Sequence, residues 1–261
     1  MVYQRPTKKS LGQHFLIDGY IIDRILRLLD LVHDDCVIEI GPGSGCLTDH
    51  IVHDCAQLCA IELDADCVGY LNSKYSECDH FSVLHKDFLS LDVSAFQNKH
   101  YRWVGNLPYN VSVPILLRLM DFPHLIKDAV LMLQKEVALR CCAQVGNKHY
   151  GRIGIMLQCV FDIYYCFDVP PQAFSPPPKV ESAVVRMVVK DNPKYEYLRH
   201  PHFQTVLVLC FNQRRKMLRK IFQQYINQSQ WQEMRIDSRL RPEQVTVDDF
   251  YQIACAFQEE S

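Results

Sequence analysis

The 261-residue chain lacks any apolar run close to the roughly 18 residues that a membrane-spanning helix needs. Its opening stretch, MVYQRPTKKSLGQHF, has no apolar signal core, so secretion is not expected and a cytoplasmic location is. The twelve cysteines include no Cys-x-x-Cys pair, and no His stands at zinc-site spacing from them. A metal centre is therefore not expected, and the cysteines read as free thiols in a reducing compartment. Internal repeats and low-complexity stretches are absent too. Nor is there a large excess of either charge: a net of −2 argues against a uniformly basic nucleic-acid binder.

What is present is 48% hydrophobic residues, ample for one large core and a second small domain. The charge is also unevenly spread. Residues 1–27 hold five Lys/Arg against two Asp/Glu, and residues 28–210 hold 15 against 21. Residues 211–241 hold eight against two, and the last 20 residues hold none against five. An acidic body between two basic segments fits a polyanion held at the edges of an enzyme. Simple solvation of helix faces would leave the same pattern.

Ile21, Ile22, Ile25, Leu26 and Leu29 recur at helical spacing over 19–31. CVIEI (36–40), QLCAIEL (57–63), FSVLH (81–85), YRWVG (101–105) and AVLMLQ (129–134) read as strands. Helices are expected near 45–53, 65–74, 111–120 and from 135 to about 145. That alternation predicts an α/β fold with a mostly parallel sheet covered on both faces. IYYCFDV (163–169) and SAVVRMVV (182–189) are joined by a loop rather than a helix, which fits antiparallel strands at a sheet edge. Residues 191–197 read as a linker, and the chain beyond 200 as helical. The expected domains are 1–190 (α/β) and 191–261 (small, all-helical).

Gly41-Pro42-Gly43-Ser44-Gly45 lies between the first of these strands and a helix, where an open α/β sheet binds its ligand. A dinucleotide fingerprint would want glycine at 46, where Cys46 stands. The alternating glycines behind an acidic strand end are similar to the loop of S-adenosylmethionine-dependent methyltransferases. A dinucleotide enzyme and an ordinary turn remain open at this point. Glu62 ends the second strand, where a carboxylate can accept hydrogen bonds from both ribose hydroxyls of an adenosine ligand. Asp87, after the third strand, is a candidate acceptor for the adenine amine, with Phe88 a candidate to pack on the ring.

The fourth strand ends in Asn106-Leu107-Pro108-Tyr109. A target amine such as adenine N6 needs acceptors for its two protons while its lone pair points at a methyl group. The Asn106 side-chain oxygen supplies one, and the Leu107 carbonyl the second, with Pro108 fixing the backbone. Tyr109 offers a face for a flipped-out base. Positioning then supplies most of the rate without a strong general base. The bland alternative is a turn built from turn-favouring residues.

These motifs, together with KKSLGQHFL (8–16), LMLQKEVALR (131–140), YGRIGIMLQ (150–158), FSPPPKVESAVV (174–185) and FNQRRKMLRK (211–220), resemble the KsgA/RsmA family of ribosomal RNA adenine dimethyltransferases nearly end to end. The departures are His14 where Asn is usual, Cys46 where Ala is common, and Lys86 in place of Gly. The resemblance implies a Rossmann-like class I methyltransferase domain plus a helical domain. It implies methyl transfer from S-adenosylmethionine to N6 of two adjacent adenosines in the 3′-terminal hairpin loop of small-subunit rRNA, two methyls on each. Cofactor positions carried over are His14, Leu16, Gly41, Glu62, Asp87 and Asn106, with Gly43 and Phe88 added from the loop and strand readings. The target-base set is Asn106, Leu107, Pro108 and Tyr109, with Phe174 as a second aromatic wall.

For RNA, Arg214, Arg215, Lys216, Arg219 and Lys220 are expected on one half of a helix, with Met217, Leu218, Ile221 and Phe222 inward. Lys8 and Lys9 are expected to hold the same RNA. The implied partner is a 30S precursor containing 16S rRNA, met by a monomer. Two alternatives are an Erm-type large-subunit rRNA adenine methyltransferase, and a non-catalytic assembly factor that kept the fold. The intact Asn-x-Pro-Tyr and glycine loop speak against the latter as the sole role.

Overall fold

Apolar runs short enough for strands and bounded by turn residues become a seven-stranded sheet in the computed structural model, which describes residues 14–96 and 99–258. The strands, in chain order, are β1 (Phe15–Leu16), β2 (Cys36–Ile40), β3 (Gln57–Glu62), β4 (Phe81–His85), β5 (Tyr101–Asn106), β6 (Ile126–Gln134), β7 (Phe161–Val169), β8 (Phe174–Ser175) and β9 (Ser182–Val189). The order across the sheet is β4-β3-β2-β5-β6-β9-β7. β4, β3, β2, β5 and β6 run parallel, and β9 runs antiparallel to β6. Helices α1 (Gly19–Leu29), α2 (Thr48–Ile51), α3 (Ala65–Lys74) and α4 (Ser112–Leu119) alternate with these strands. The strand order reverses between β2 and β5, so the crevice at their carboxyl ends is where such a sheet accepts a ligand.

The pair β1–β8 was not visible in the sequence, because two-residue strands carry no periodicity. It pairs Phe15 with Ser175 and Leu16 with Phe174. Ile17 N–H adds a bond of 2.8 Å to the Ala173 carbonyl. Together these dock the segment before α1 beside the carboxyl ends of the strands. α1 then starts at Asp18, whose side chain accepts from Tyr20 and Ile21 N–H, and buries Ile21, Ile22, Ile25 and Leu29.

At the opposite ends of the strands sits a buried ion network. Arg102 donates through Nε and Nη2 to both oxygens of Asp128, at 2.9 and 2.8 Å. Its Nη1 donates to Asp35 at 3.1 Å and to the Asp30 carbonyl at 2.8 Å. Lys127 and Arg186 complete it, on Asp35 and Asp128 respectively. Burial alone would raise the Asp35 pKa, but the Lys127 ammonium, the Val32 N–H and Arg102 together hold it below the usual carboxylate value.

The chain divides into two compact units. One runs to Ala138 and resumes over Asp162–Val189; the other comprises Leu139–Phe161 and the chain from Lys190 onward. Residues 139–161, expected in the α/β domain, thus group with the helices. α5 (Lys135–Cys142) leads into this unit, and α6 (Arg152–Gln158), which the sequence reading missed, lies within it. Glycine at 154 is obligatory there: a Cβ would sit 2.4 Å from the Arg140 carbonyl oxygen.

The remaining helices are α7 (Tyr195–Arg199), α8 (Phe203–Asn212), α9 (Leu218–Ile221), α10 (Gln228–Met234) and α11 (Val247–Ala256). α7 replaces part of the expected linker, and its Tyr197 ring stacks on Tyr251 of α11 at 3.9 Å. The core of the unit is built by Phe203, Val206, Leu207 and Cys210 of α8 with Phe250, Ile253 and Ala254 of α11.

Arg102→Ala would leave Asp128 buried without its two-pronged partner and take one of two cations from Asp35. Equilibrium urea unfolding should show a loss of about 3–5 kcal/mol. A loss under about 1 kcal/mol would mean that water or Arg186 compensates the two acids.

Candidate active site

The register that pairs Glu39 with Val104 carries Gly41, just past β2, level with Asn106 at the end of β5. The strands come very close there, and Gly105 permits it: a Cβ would lie 2.6 Å from the Ile40 carbonyl oxygen. Gly41 and Gly43 have φ of 66° and 57°, in the region that side chains other than glycine rarely adopt. Gly43 is also tight against the Phe15 ring, 2.8 Å from where its Cβ would be. The loop therefore leaves bare backbone facing the cavity.

That cavity brings together His14, Leu16, Gly41, Gly43, Glu62, Asn106, Leu107, Pro108 and Tyr109 of the expected set. Asn106 Nδ2 donates to the His14 carbonyl at 2.9 Å. Because a carbonyl accepts only, this bond fixes the amide orientation and leaves Oδ1 as the outward acceptor. The Leu107 side chain is buried and its N–H donates to the Met132 carbonyl at 3.1 Å. Its own carbonyl accepts no hydrogen bond from the described residues. Two acceptors one residue apart are thus left without donors among the described residues.

His14 does more than lend its carbonyl. Its Nδ1–H donates to the Pro176 carbonyl at 2.8 Å, and its ring stacks on Tyr109 with centroids 5.7 Å apart. The Tyr109 hydroxyl is hydrogen-bonded to Ser182 on β9. One face of the Tyr109 ring is therefore taken, and a base can stack only on the other. Burial raises the phenol pKa, so the hydroxyl stays protonated.

Glu62 is buried and held at both oxygens, by Gly43 N–H at 2.9 Å and Asp64 N–H at 2.8 Å. Each oxygen keeps a lone pair for a ligand hydroxyl. Burial raises its pKa, and those backbone donors offset part of the rise. Leu63, 52% exposed, adds an apolar surface beside it.

Three expectations fail on geometry. Phe174 is 3% exposed and packs in the core with Leu16 and Val169, because its strand pairing turns it inward; it does not line the cavity. Phe88 is likewise buried, edge-on to Trp103 and Phe122, and is not free to cover an adenine ring. Asp87, which caps the turn that holds Phe88, is exposed but outside the lining; Leu89 N–H donates to its Oδ1 at 2.9 Å. The third failure is the single basic helix. α8 ends at Asn212, a turn carries Arg214, Arg215 and Lys216, and α9 holds Arg219 and Lys220. Met217, expected inward, is 37% exposed, whereas Leu218, Ile221 and Phe222 are buried. The break follows from like-charge crowding and from Leu218 and Arg219 N–H groups docking on the Leu240 and Ser238 carbonyls, both at 2.9 Å. Arg214 lies over Phe211 and donates to the Lys148 carbonyl at 3.0 Å. Lys8 and Lys9 fall outside the described residues.

Glu39 was passed over, although an acid inside the apolar strand CVIEI was the available signal. It lines the cavity and is 2% exposed. Thr48 Oγ1 donates to it at 2.6 Å. Burial pushes its pKa up to about 7; Thr48 opposes the rise, and Glu62 and Asp49 add to it. Cys46, also on the lining, is pushed up to about 12 by burial with Glu39 nearby, so it is a protonated wall and not a nucleophile.

Bare glycine backbone, a buried carboxylate with lone pairs to spare and two acceptors without donors among the described residues stand at the switch point of a parallel sheet, in the fold of a class I methyltransferase. The fold agrees with the structure titled dimethyladenosine transferase from Plasmodium falciparum (TM-score 0.78, 24% identity, 92% of this chain and 96% of that one). It also agrees with the 23S rRNA methyltransferase ErmE (TM-score 0.70, 23% identity, 93% and 99%). The chain belongs to the family described as ribosomal RNA adenine dimethylase, whose profile matches residues 5–259. Relatives named ribosomal RNA small subunit methyltransferase A agree. That of Coxiella burnetii (strain Dugway 5J108-111) is 40% identical over 250 residues, 95% of this chain and 97% of that protein. That of Legionella pneumophila (strain Philadelphia 1) is 41% identical over 251 residues, 96% and 98%.

A carboxyl with a higher pKa folded than unfolded binds its proton more tightly in the native state. For Glu39 the stability is fully present below pH 4.5 and falls as pH rises toward about 7. Glu39→Gln should lack that component. The difference between parent and variant unfolding free energies should change by up to about 3 kcal/mol across this window, with the parent the loser at the upper end. A difference independent of pH would show that Glu39 is ionised throughout.

Proposed function

We propose that this chain transfers methyl groups from S-adenosylmethionine to N6 of two adjacent adenosines in the 3′-terminal hairpin loop of 16S rRNA, giving N6,N6-dimethyladenosine in a small-subunit precursor. The observation that carries this reading is the Asn106 amide, tied through Nδ2 so that Oδ1 and the Leu107 carbonyl stand as paired acceptors beside the glycine loop. The small-subunit target rests on the names of the bacterial relatives.

The residues fit such a cofactor. Gly41 and Gly43 leave backbone bare, Glu62 has lone pairs for the ribose hydroxyls, and His14 and Leu16 close one side. Asp87 stands exposed on the same edge as an acceptor for the adenine amine. When bound, S-adenosylmethionine supplies an already activated methyl group on a sulfonium. Asn106 Oδ1 and the Leu107 carbonyl then accept the two amine protons and aim the lone pair, while Pro108 holds their angle. The open face of Tyr109 backs the flipped base. A monomethylated amine has one proton fewer, so only one acceptor is filled in the second transfer. Arg214, Arg215, Lys216, Arg219 and Lys220, with Lys8 and Lys9, are assigned to RNA phosphates.

Mass spectrometry of 16S rRNA from unmethylated 30S particles, after incubation with the protein and S-adenosylmethionine, should find two adjacent dimethyladenosines. Labelling of free large-subunit RNA alone would overturn the reading. Asn106→Ala should keep cofactor affinity within a few-fold and lower transfer by about 10²–10³-fold. Transfer near the parent rate would remove Asn106 as an acceptor.

Reversing Arg214 and Arg215 together to Glu should weaken binding to 30S particles most at low salt, in a filter-binding titration. Unchanged affinity would mean that these side chains only solvate the turn.

A further inference from the structure

Glu39 and Glu62 stand on the lining of one cavity, and no described Lys or Arg lines it. Backbone N–H groups hold Glu62 at both oxygens. Glu39 is 2% exposed, and its single donor among the described residues is Thr48 Oγ1, 2.6 Å from Oε2. The groups around it add no positive charge. Glu62 at the end of β3 and Asp49 on α2 are acids that raise its pKa further. Cys46 on the loop is a neutral thiol, and Tyr75, just past α3, donates its hydroxyl to Asp49. Lys74 is taken by the same Asp49 oxygen. Two other titratable groups line the cavity. The His14 Nδ1–H is committed to the Pro176 carbonyl, and the Tyr109 hydroxyl is hydrogen-bonded to Ser182.

A carboxylate so placed lacks the donors that water would give, so burial favours its protonated form. At about 7, its pKa puts the change of charge near neutral pH. A cation brought into the cavity reverses the balance, because a close opposite charge favours the ionised acid. S-adenosylmethionine brings a sulfonium and an ammonium. Its co-product, S-adenosylhomocysteine, keeps the ammonium and has lost the sulfonium charge. The two ligands thus differ by one positive charge at nearly constant shape. Gly41, Gly43 and Glu62 offer hydrogen bonds that both can use alike, whereas a buried acid with one donor responds to the charge.

We propose that Glu39 is the residue by which the cavity selects the charged cofactor over its co-product: it holds a proton in the empty protein and gives it to solvent as the sulfonium compound enters. After methyl transfer the carboxyl takes a proton back, and the co-product leaves a neutral wall. The inference rests on S-adenosylmethionine being the cofactor, as proposed above, but not on which RNA is methylated.

Below about pH 7 the empty protein carries a proton that S-adenosylmethionine must expel, so its affinity falls as pH falls and levels off above that value. The test measures dissociation constants of both ligands on the full chain from about pH 5.5 to 8.5. The ratio of S-adenosylmethionine to S-adenosylhomocysteine affinity should fall, by up to about tenfold per pH unit, on the acid side. Glu39→Gln, which has no proton to lose, should hold the ratio constant. The ligand amine titrates with both proteins, so its share cancels between parent and variant. Thr48→Val removes the donor that favours the ionised form, so the fall should begin at higher pH. This second variant guards against a distorted cavity in the first. Calorimetry in two buffers of different ionisation enthalpy should find proton release on S-adenosylmethionine binding that Glu39→Gln lacks. A pH-independent ratio in the parent would overturn the proposal, even if both affinities fall, since Glu39 would then meet only the shared ammonium. So would a fall that persists in Glu39→Gln, because another group would be titrating. If neither ligand binds, the cofactor reading itself fails and takes this inference with it; a constant ratio with both bound sinks this inference alone.

Discussion

β2 and β5 lie side by side and parallel, with Glu39 opposite Val104, and this register carries the glycine loop level with Asn106. The strands approach so closely at their ends that Gly105 has no room for a methyl group beneath the Ile40 carbonyl. A shift of one residue would turn Asn106 into the sheet face and the loop away from it. The backbone cradle and the paired acceptors share one cavity because of this contact. The β1–β8 pair adds the third part, since it sets the His14 carbonyl against Asn106 Nδ2.

The two ends of the same strands handle buried charge in opposite ways. Where the strands begin, Asp128 and Asp35 are matched by Arg102, Arg186 and Lys127, so ionised groups sit buried with their donors satisfied. Where they end, Glu39 and Glu62 are buried with no Lys or Arg among the described residues that line the cavity. Glu62 leans on backbone N–H groups and Glu39 on one threonine hydroxyl. Leaving carboxyls uncompensated lowers the stability of the empty protein, and a ligand with hydroxyls and positive charge can recover the difference. The end built for stability and the end built for binding are thus told apart by how their acids are paired.

Much of the site was legible because its signals are local. GPGSG between a strand and a helix, an acid at the end of the next strand, and Asn-Leu-Pro-Tyr at the end of the fourth each state a chemistry by residue type and position. Phe88 and Phe174 were misread for one reason. An aromatic next to a site motif can face either way, and only the neighbouring packing, Trp103 and Phe122 for one and Leu16 for the other, sets which. Glu39 was legible but unweighed. The basic segment was misread because its apolar spacing suits one helix, whereas α8 ends at Asn212 and the Leu218 and Arg219 N–H groups bond the Leu240 and Ser238 carbonyls where α9 begins. Residues 139–161 went to the wrong unit because membership depends on contacts with distant helices.

By itself the sequence determined the class of fold, the order of strands along the chain, and most of the residues that line the candidate cavity, since period, turn chemistry and acid placement are properties of short segments. Only the tertiary structure decided which way Asn106 points, which face of Tyr109 His14 covers, and that burial raises the Glu39 pKa. Each of these depends on a carbonyl, a ring or an empty space contributed by residues far away in the chain. No local pattern encodes such a neighbour.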